Sequence, residues 1–248
     1  VAVSGVLFQV VLKNPLADPG IIGISSDAGF TAVLITAFLP ALYFFTPLLA
    51  FAGGVLAFFL VYSLSWKGGL SPLRIILTGV AVSAMFTGLS DALNSMSGGN
   101  SSGVASIVEG NITQKTWEDV QTLLPYVIAG LILALLFTKI CNLMSLEDKT
   151  ARSLGVNVNL MRILISLVAV LLASISTAVV GAISFLGLIV PHIGRLLVGS
   201  DHRALVPFSM LAGAFTFLLA DTIGRTVAAP YEVSASIIMS VVGGPFFI

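Results

Sequence analysis

Apolar residues run through this chain in long blocks, at 1–12, about 24–40, 42–64, 74–95, 121–141, 162–180, 183–198, 205–226 and 233–248. A bilayer-spanning helix needs roughly 20 apolar residues and at least about 17. The longer blocks therefore predict membrane-spanning helices, and the shorter ones predict helices that are tilted, broken or enclosed by protein. The pattern reads as eight or nine segments of one domain. Small residues inside the blocks, as in Gly79-Val80-Ala81-Val82-Ser83 and Leu211-Ala212-Gly213-Ala214, let helix backbones approach closely in lipid.

The polar positions give these blocks a direction. Lys13, Lys67, Arg74, Lys139, Lys149, Arg152, Arg162, Arg195 and Arg203 fall in or beside one alternate set of connections, whereas Lys115 and Arg225 fall in the other. Cytoplasmic loops of membrane proteins carry an excess of Lys and Arg, so the first set is expected inside. Glu109, Glu118, Asp119 and Glu232 are then outside, with Trp117 at the interface.

Composition agrees with the pattern. Hydrophobic residues are 57% of the 248 and charged residues 9%, and the mean hydropathy is +1.10, against roughly 25% charged residues in soluble domains. The formal net charge of zero carries no signal for nucleic acid. One cysteine, Cys141, excludes an intramolecular disulfide and a CxxC metal site. The apolar start without a charged leader and the apolar finish without a polar tail predict a chain clipped at both ends.

Three connections carry possible chemistry. Asn14-Pro15-Leu16-Ala17-Asp18-Pro19-Gly20-Ile21-Ile22-Gly23-Ile24-Ser25-Ser26 places two prolines and two glycines between apolar blocks. Proline removes a donor and turns its predecessor away from helix. Irregular backbone at membrane depth survives only where protein encloses it or a water-filled path runs past it, so the segment is either an ordinary turn or a pathway element. Ser145-Leu146-Glu147-Asp148-Lys149-Thr150-Ala151-Arg152-Ser153-Leu154-Gly155-Val156-Asn157 reads as a short amphipathic helix stopped at Gly155, with a second short turn before Arg162. Leu146, Ala151 and Leu154 are expected to face the protein and Glu147, Asp148, Lys149 and Arg152 water. In Pro191-His192-Ile193-Gly194-Arg195 with Gly199-Ser200-Asp201-His202-Arg203, two histidines and one Asp lack the further ligands that a metal site needs. No GxxxxGK[ST] motif occurs, so no Walker-type ATP site is expected.

These segments, together with Gly181-Ala182-Ile183-Ser184-Phe185-Leu186-Gly187-Leu188-Ile189-Val190 and the terminal Gly243-Gly244-Pro245-Phe246-Phe247, resemble the permease family of ABC importers for cobalamin, haem and iron-siderophores. The resemblance spans nearly the whole chain. It implies an all-α polytopic transmembrane bundle, the ten-helix type II importer permease, with residues 1–248 as one permease domain that lacks its first helix and the end of its last. It also implies a bacterial plasma-membrane protein that pairs with a second permease subunit, binds cytoplasmic ATP-hydrolysing subunits, and accepts cargo from an extracytoplasmic binding protein. On this resemblance the chain is not an enzyme and holds no cofactor or metal of its own; ATP is bound by the partner.

By the same resemblance Asn14 and Leu16, with Ser71 and Pro72 of Gly69-Leu70-Ser71-Pro72-Leu73-Arg74, close the cytoplasmic end of the pathway. Glu147, Asp148, Ala151, Arg152, Leu154 and Gly155 belong to the element that couples to the ATPase. Arg225 meets acidic residues of the binding protein. The helix at 74–95, the segment after it and the helix at 233–248 are expected to line the pathway. Two rival classes remain. An ion-coupled secondary transporter would use intramembrane carboxylates, for which Asp91 and Asp221 are the candidates. A membrane enzyme would use His192, Asp201 and His202.

Overall fold

A computed structural model describes residues 1–65, 72–96, 107, 110–113 and 115–246, and among them every regular element is helical. The helices are α1 (Ala2–Val11), α2 (Ile24–Phe38), a 3₁₀ turn (Pro40–Phe45), α3 (Thr46–Ser65), α4 (Pro72–Met96), α5 (Trp117–Leu136), α6 (Thr138–Met144), α7 (Asp148–Ser153), α8 (Val158–Val180), α9 (Leu186–Val198), α10 (His202–Val227) and α11 (Ala235–Phe246). Five stretches among the described residues are long and apolar enough to cross a bilayer: Ala41–Ser65, Leu73–Met96, Trp117–Leu136, Val158–Val180 and His202–Val227. The shorter α1, α2, α9 and α11 complete the bundle.

Helix α8 is its centre, packed by α1, α2, α3 and α5. Small side chains make this possible. Gly54 of α3 lies directly against the Ser174 hydroxyl, and the Ser4 hydroxyl donates to the Ala169 carbonyl at 2.7 Å, tying α1 to α8. Ile165, Ala169, Ala173 and Ile175 are completely buried there. Facing outward are large apolar side chains such as Leu56, Leu64, Leu124 and Leu211. In water so much exposed apolar surface would drive aggregation; in lipid it is solvated.

The structure moves several boundaries read from the sequence. The block at 121–141 is two helices, because α5 starts at Trp117, where the Asp119 carboxylate accepts from the Thr116 amide at 2.8 Å, and breaks at Phe137. The turn expected before Arg162 is already helix: the Asn157 side chain accepts from the Leu160 amide at 3.2 Å and starts α8 at Val158, as an N-cap does. Between α8 and α9 the backbone is irregular. Gly181 sits there at φ +84°, with Gly110 and the Ile107 carbonyl where a Cβ would be, so both conformation and space demand glycine.

A proline explains how α9 joins the bundle. Pro191, inside α9, has no N–H to give the carbonyl four residues earlier, which is Gly187. That carbonyl accepts instead from the Gln9 side-chain amide of α1 at 3.2 Å, and α1 comes so near that Gly5 leaves no room for a side chain.

Candidate functional site

The break after α1 is a built turn. Lys13 adopts φ +48°, left-handed backbone that is unusual for a side-chain-bearing residue. The Asn14 side chain accepts from the Leu16 amide at 3.0 Å, and the Asn14 carbonyl accepts from the Ala17 amide at 3.1 Å. Such local closure is what Asn supplies in turns. Leu16 is exposed, and Asn14 and Leu16 share a small recess with Ile75 and Ile76 near the start of α4. The expected gate residues Asn14 and Leu16 are thus placed beside α4, which begins at Pro72. Ser71 and the Pro72 side chain lie outside the described residues.

Immediately beyond this turn is a cavity of about 360 Å³ whose wall includes Asp18, Ser25, Ser26, Ser83, Thr87 and Ser184. The break between α1 and α2, one face of α4, and the irregular Gly181–Ser184 segment provide these groups. The Ser83 hydroxyl donates to the Gly20 carbonyl at 2.9 Å, so α4 holds the irregular backbone by a bond that the missing helical ladder leaves open. Its polar groups are set among Ile21, Val80, Ile183, Phe185 and Leu188, and its irregular backbone is of the kind that survives at membrane depth only where protein or a water-filled path adjoins it. Helix α4 contributes Val80, Ser83 and Thr87 to this cavity. Gly243 packs α11 against Phe185, itself part of the wall. Residues 97–106 lie outside the described residues, while Ile107 borders a neighbouring recess with Ser25, Thr87 and Asp91.

Two buried carboxylates escaped sequence reasoning. Asp91 is exposed and Asp221 pairs with Arg225, whereas Asp18 and Asp27 are 2% and 4% exposed. Asp18 Oδ1 accepts from the Gly20 amide at 2.8 Å, and its other oxygen faces Gly187 in the first turn of α9, where the positive end of a helix favours an anion. Asp27 lies beside Thr31 and Gly53 of α3. The Asp18-Pro19-Gly20 order was a turn signature; Asp27 announced itself only as the one charge in its apolar block.

The cytoplasmic connection folds as a short helix with a glycine stop. Val156 donates to the Ala151 carbonyl at 3.1 Å and Gly155 to the Arg152 carbonyl at 3.0 Å, with Gly155 at φ +84°, a Schellman motif. Only Ala151 is buried. Leu146 and Leu154, expected to face the protein, are 42% and 58% exposed; they flank the six-residue helix, Leu146 before its N-cap Glu147 and Leu154 as its C-cap, so the helix does not carry them onto the buried face of Ala151. Two exposed leucines flanked by Glu147, Lys149 and Arg152 make a surface suited to a protein partner.

Lys13 joins this element to the turn. Its ammonium donates to the Leu146 carbonyl at 2.7 Å and Asp148 Oδ1 at 2.6 Å, and Arg162 approaches Asp148 Oδ2 at 3.3 Å. The Lys13 hydrogen bond, aided by the Arg162 charge, holds the Asp148 carboxyl below the usual carboxylate range. The same end of the bundle carries Arg195 and His202. The opposite end carries Arg225, whose Nε meets Asp221 Oδ2 at 2.8 Å, and Glu232, which accepts from the Thr113 hydroxyl at 2.5 Å. Among the described residues, Lys13, Arg162 and Arg195 thus share one end of the bundle, and Arg225 lies with Asp221 and Glu232 at the other. His192 stacks edge-on against Phe246 and His202 meets the Asn142 side chain at 2.7 Å, so the two histidines serve different contacts.

The sequence profile of the FecCD transport family matches residues 1–248. The probable heme-iron transport system permease protein IsdF of Staphylococcus aureus strain Newman is 42% identical over 247 residues, covering 100% of this chain and 74% of that protein. A solved transporter assigned to the metal-chelate ABC type, in an inward-facing conformation, superposes with a TM-score of 0.83 at 30% identity over 99% of this chain and 80% of its own. PsaBC from Streptococcus pneumoniae in complex with Fab shares the fold, with a TM-score of 0.64 at 20% identity over 99% of this chain and 84% of its own.

Proposed function

Since this chain belongs to the FecCD transport family and is a multi-pass membrane permease of an ABC importer for metal chelates, we propose that it carries haem-iron along the cavity between the α1–α2 break and α4. Support for haem comes from the likeness to the staphylococcal permease. The carrying observation is the cavity of about 360 Å³ whose mixed wall carries Asp18, Ser25, Ser26, Ser83, Thr87 and Ser184 among apolar residues, next to the recess of the Asn14–Leu16 turn, with Ile21 common to both. Drug-sized ligands occupy pockets of roughly 300–1,000 Å³, and this cavity lies at the low end of that range; in this reading a second permease subunit supplies the rest of the pathway.

In this reading the turn at Asn14 and Leu16, with Ser71 and Pro72, is the cytoplasmic gate. A separate subunit binds ATP and grips α7 through Leu146, Leu154 and the charges between them. ATP shifts the gate only if that subunit contacts α7 differently in two states; Lys13, bonded to Asp148 and adjacent to Asn14, is a direct route for the motion. Outside, Arg225 receives the binding protein.

Ser83→Trp tests the path. It fills the cavity from α4 and should abolish haem uptake into proteoliposomes while the permease still assembles with an ATPase that hydrolyses ATP. Undiminished uptake would place the path elsewhere.

A further inference from the structure

A second cavity, of about 340 Å³, lies at the cytoplasmic end between the gate turn and the α9–α10 connection, and its wall includes Gln9, Lys13, Asn14, Ser145, Arg195 and Ser200. Arg195 is half-buried in the last turn of α9. Its Nη2 donates to Gln9 Oε1 at 2.5 Å, and among the described residues no carboxylate lies within ion-pair distance of it. The negative end of α9 favours a cation there. That accounts for the presence of charge, yet one amide oxygen satisfies only one of five guanidinium donors. Lys13 and Arg162 share the single carboxylate of Asp148, and Asp201 is engaged by Asn142 at 2.7 Å and by the Arg203 amide. Two cations, Lys13 and Arg195, thus line this cavity, the one nearby carboxylate already serves Lys13 and Arg162, and the Asn14 amide and Ser200 hydroxyl on the same wall add donors for an anion.

We propose that this pocket receives an acidic side chain of the ATPase subunit. The proposal rests on the permease reading above. The pocket's wall is bonded to the docking element itself, through Lys13 to Asp148, the first residue of α7. A protein seated on the exposed Leu146 and Leu154 covers the pocket mouth, which excludes lipid from it. Guanidinium and carboxylate match as a planar two-bond pair. Asn14 and Pro15 also line the pocket, so the entering carboxylate touches the gate turn, and its withdrawal or advance moves that turn.

Arg195→Lys keeps the charge and the bond to Gln9 and introduces a reactive amine. Treating the purified permease–ATPase complex with a water-soluble carbodiimide joins an amine to a touching carboxylate as an amide, the water lost being taken up as the urea. The expected product is a crosslink from position 195 to one Asp or Glu of the ATPase, found by peptide mass spectrometry and absent from the native complex and from Arg195→Gln. Arg195→Glu should weaken ATPase binding about tenfold or more at low salt, and reversing the crosslinked carboxylate to Lys should restore it. Reaction of the introduced amine only within its own chain overturns the proposal. So does native mass spectrometry in which the wild type, but not Arg195→Gln, retains one anionic phospholipid, which would make the pocket a headgroup site. If the native permease binds no ATPase at all, the permease reading itself fails; binding without the crosslink removes this proposal alone.

Discussion

Replacing Gly5 by Ala adds one methyl group at the closest approach of two helices. The new Cβ would fall 2.0 Å from the Gly187 carbonyl oxygen and 2.7 Å from its Cα, all backbone, where ordinary contact begins at 3.4 Å. Helices α1 and α9 must separate by about 1.4 Å, the difference between 3.4 and 2.0 Å. Overpacking of this kind costs about 1–3 kcal/mol. Gln9 lies one turn further along the same face, and its bond to the Gly187 carbonyl at 3.2 Å has no slack, which adds about 1 kcal/mol for its loss. Better helix propensity of Ala returns about 1 kcal/mol. The balance is a destabilisation of about 1–3 kcal/mol, a drop of about 2–4 °C per kcal/mol for a chain of this size. The assay is thermal unfolding of the purified permease in detergent, with Gly29→Ala as the control, because a Cβ there meets only Thr177 Cγ2 at an ordinary 3.7 Å. If Gly5→Ala melts with Gly29→Ala and the wild type, then α1 and α9 are not in the contact described, and the account of Pro191 freeing Gly187 for Gln9 fails.

Charged or bulky replacements of Leu154 and Gly155 should uncouple ATP hydrolysis from haem uptake while leaving the subunit inserted; normal transport with normal ATPase co-purification would remove α7 as the docking element. Cysteines at Leu16 and Ser71, in a background without the buried Cys141, should crosslink across the permease pair or lose thiol reactivity in one nucleotide state. Labelling that ignores ATP would mark the Asn14–Leu16 turn as static. Arg225→Glu should slow association of the binding protein, most at low salt, and leave basal ATPase activity nearly intact; unaltered binding would leave Arg225 as the local partner of Asp221, an i,i+4 pair worth about 0.3–0.5 kcal/mol.

Much of this was legible because membrane proteins write coarse features in composition. Apolar block length, the sidedness of Lys and Arg, and the Pro and Gly cluster at Asn14–Ser26 each follow from local cost: of a polar group in lipid, of a basic residue outside, of a missing backbone donor. Motif resemblance then supplied the family, and with it the gate and coupling positions proposed above. What stayed hidden was long-range. Nothing local tells that Pro191 releases a carbonyl to Gln9, 178 residues away in sequence, or that Lys13 bridges to Asp148, 135 residues away. The buried Asp18 looked like a loop residue because its partner surface, the first turn of α9, comes from a distant block. Leu146 and Leu154 were read as inward because amphipathicity cannot distinguish a leucine that packs on its own bundle from one that awaits a partner.

The most direct test is uptake into proteoliposomes that hold the permease with its ATPase inside, supplied outside with the haem-loaded binding protein. The account predicts haem accumulation that requires internal ATP and the binding protein and is indifferent to proton or sodium gradients. Accumulation driven by an ion gradient without the ATPase would contradict it, and would make Asp18 and Asp27 the carboxylates of a secondary transporter.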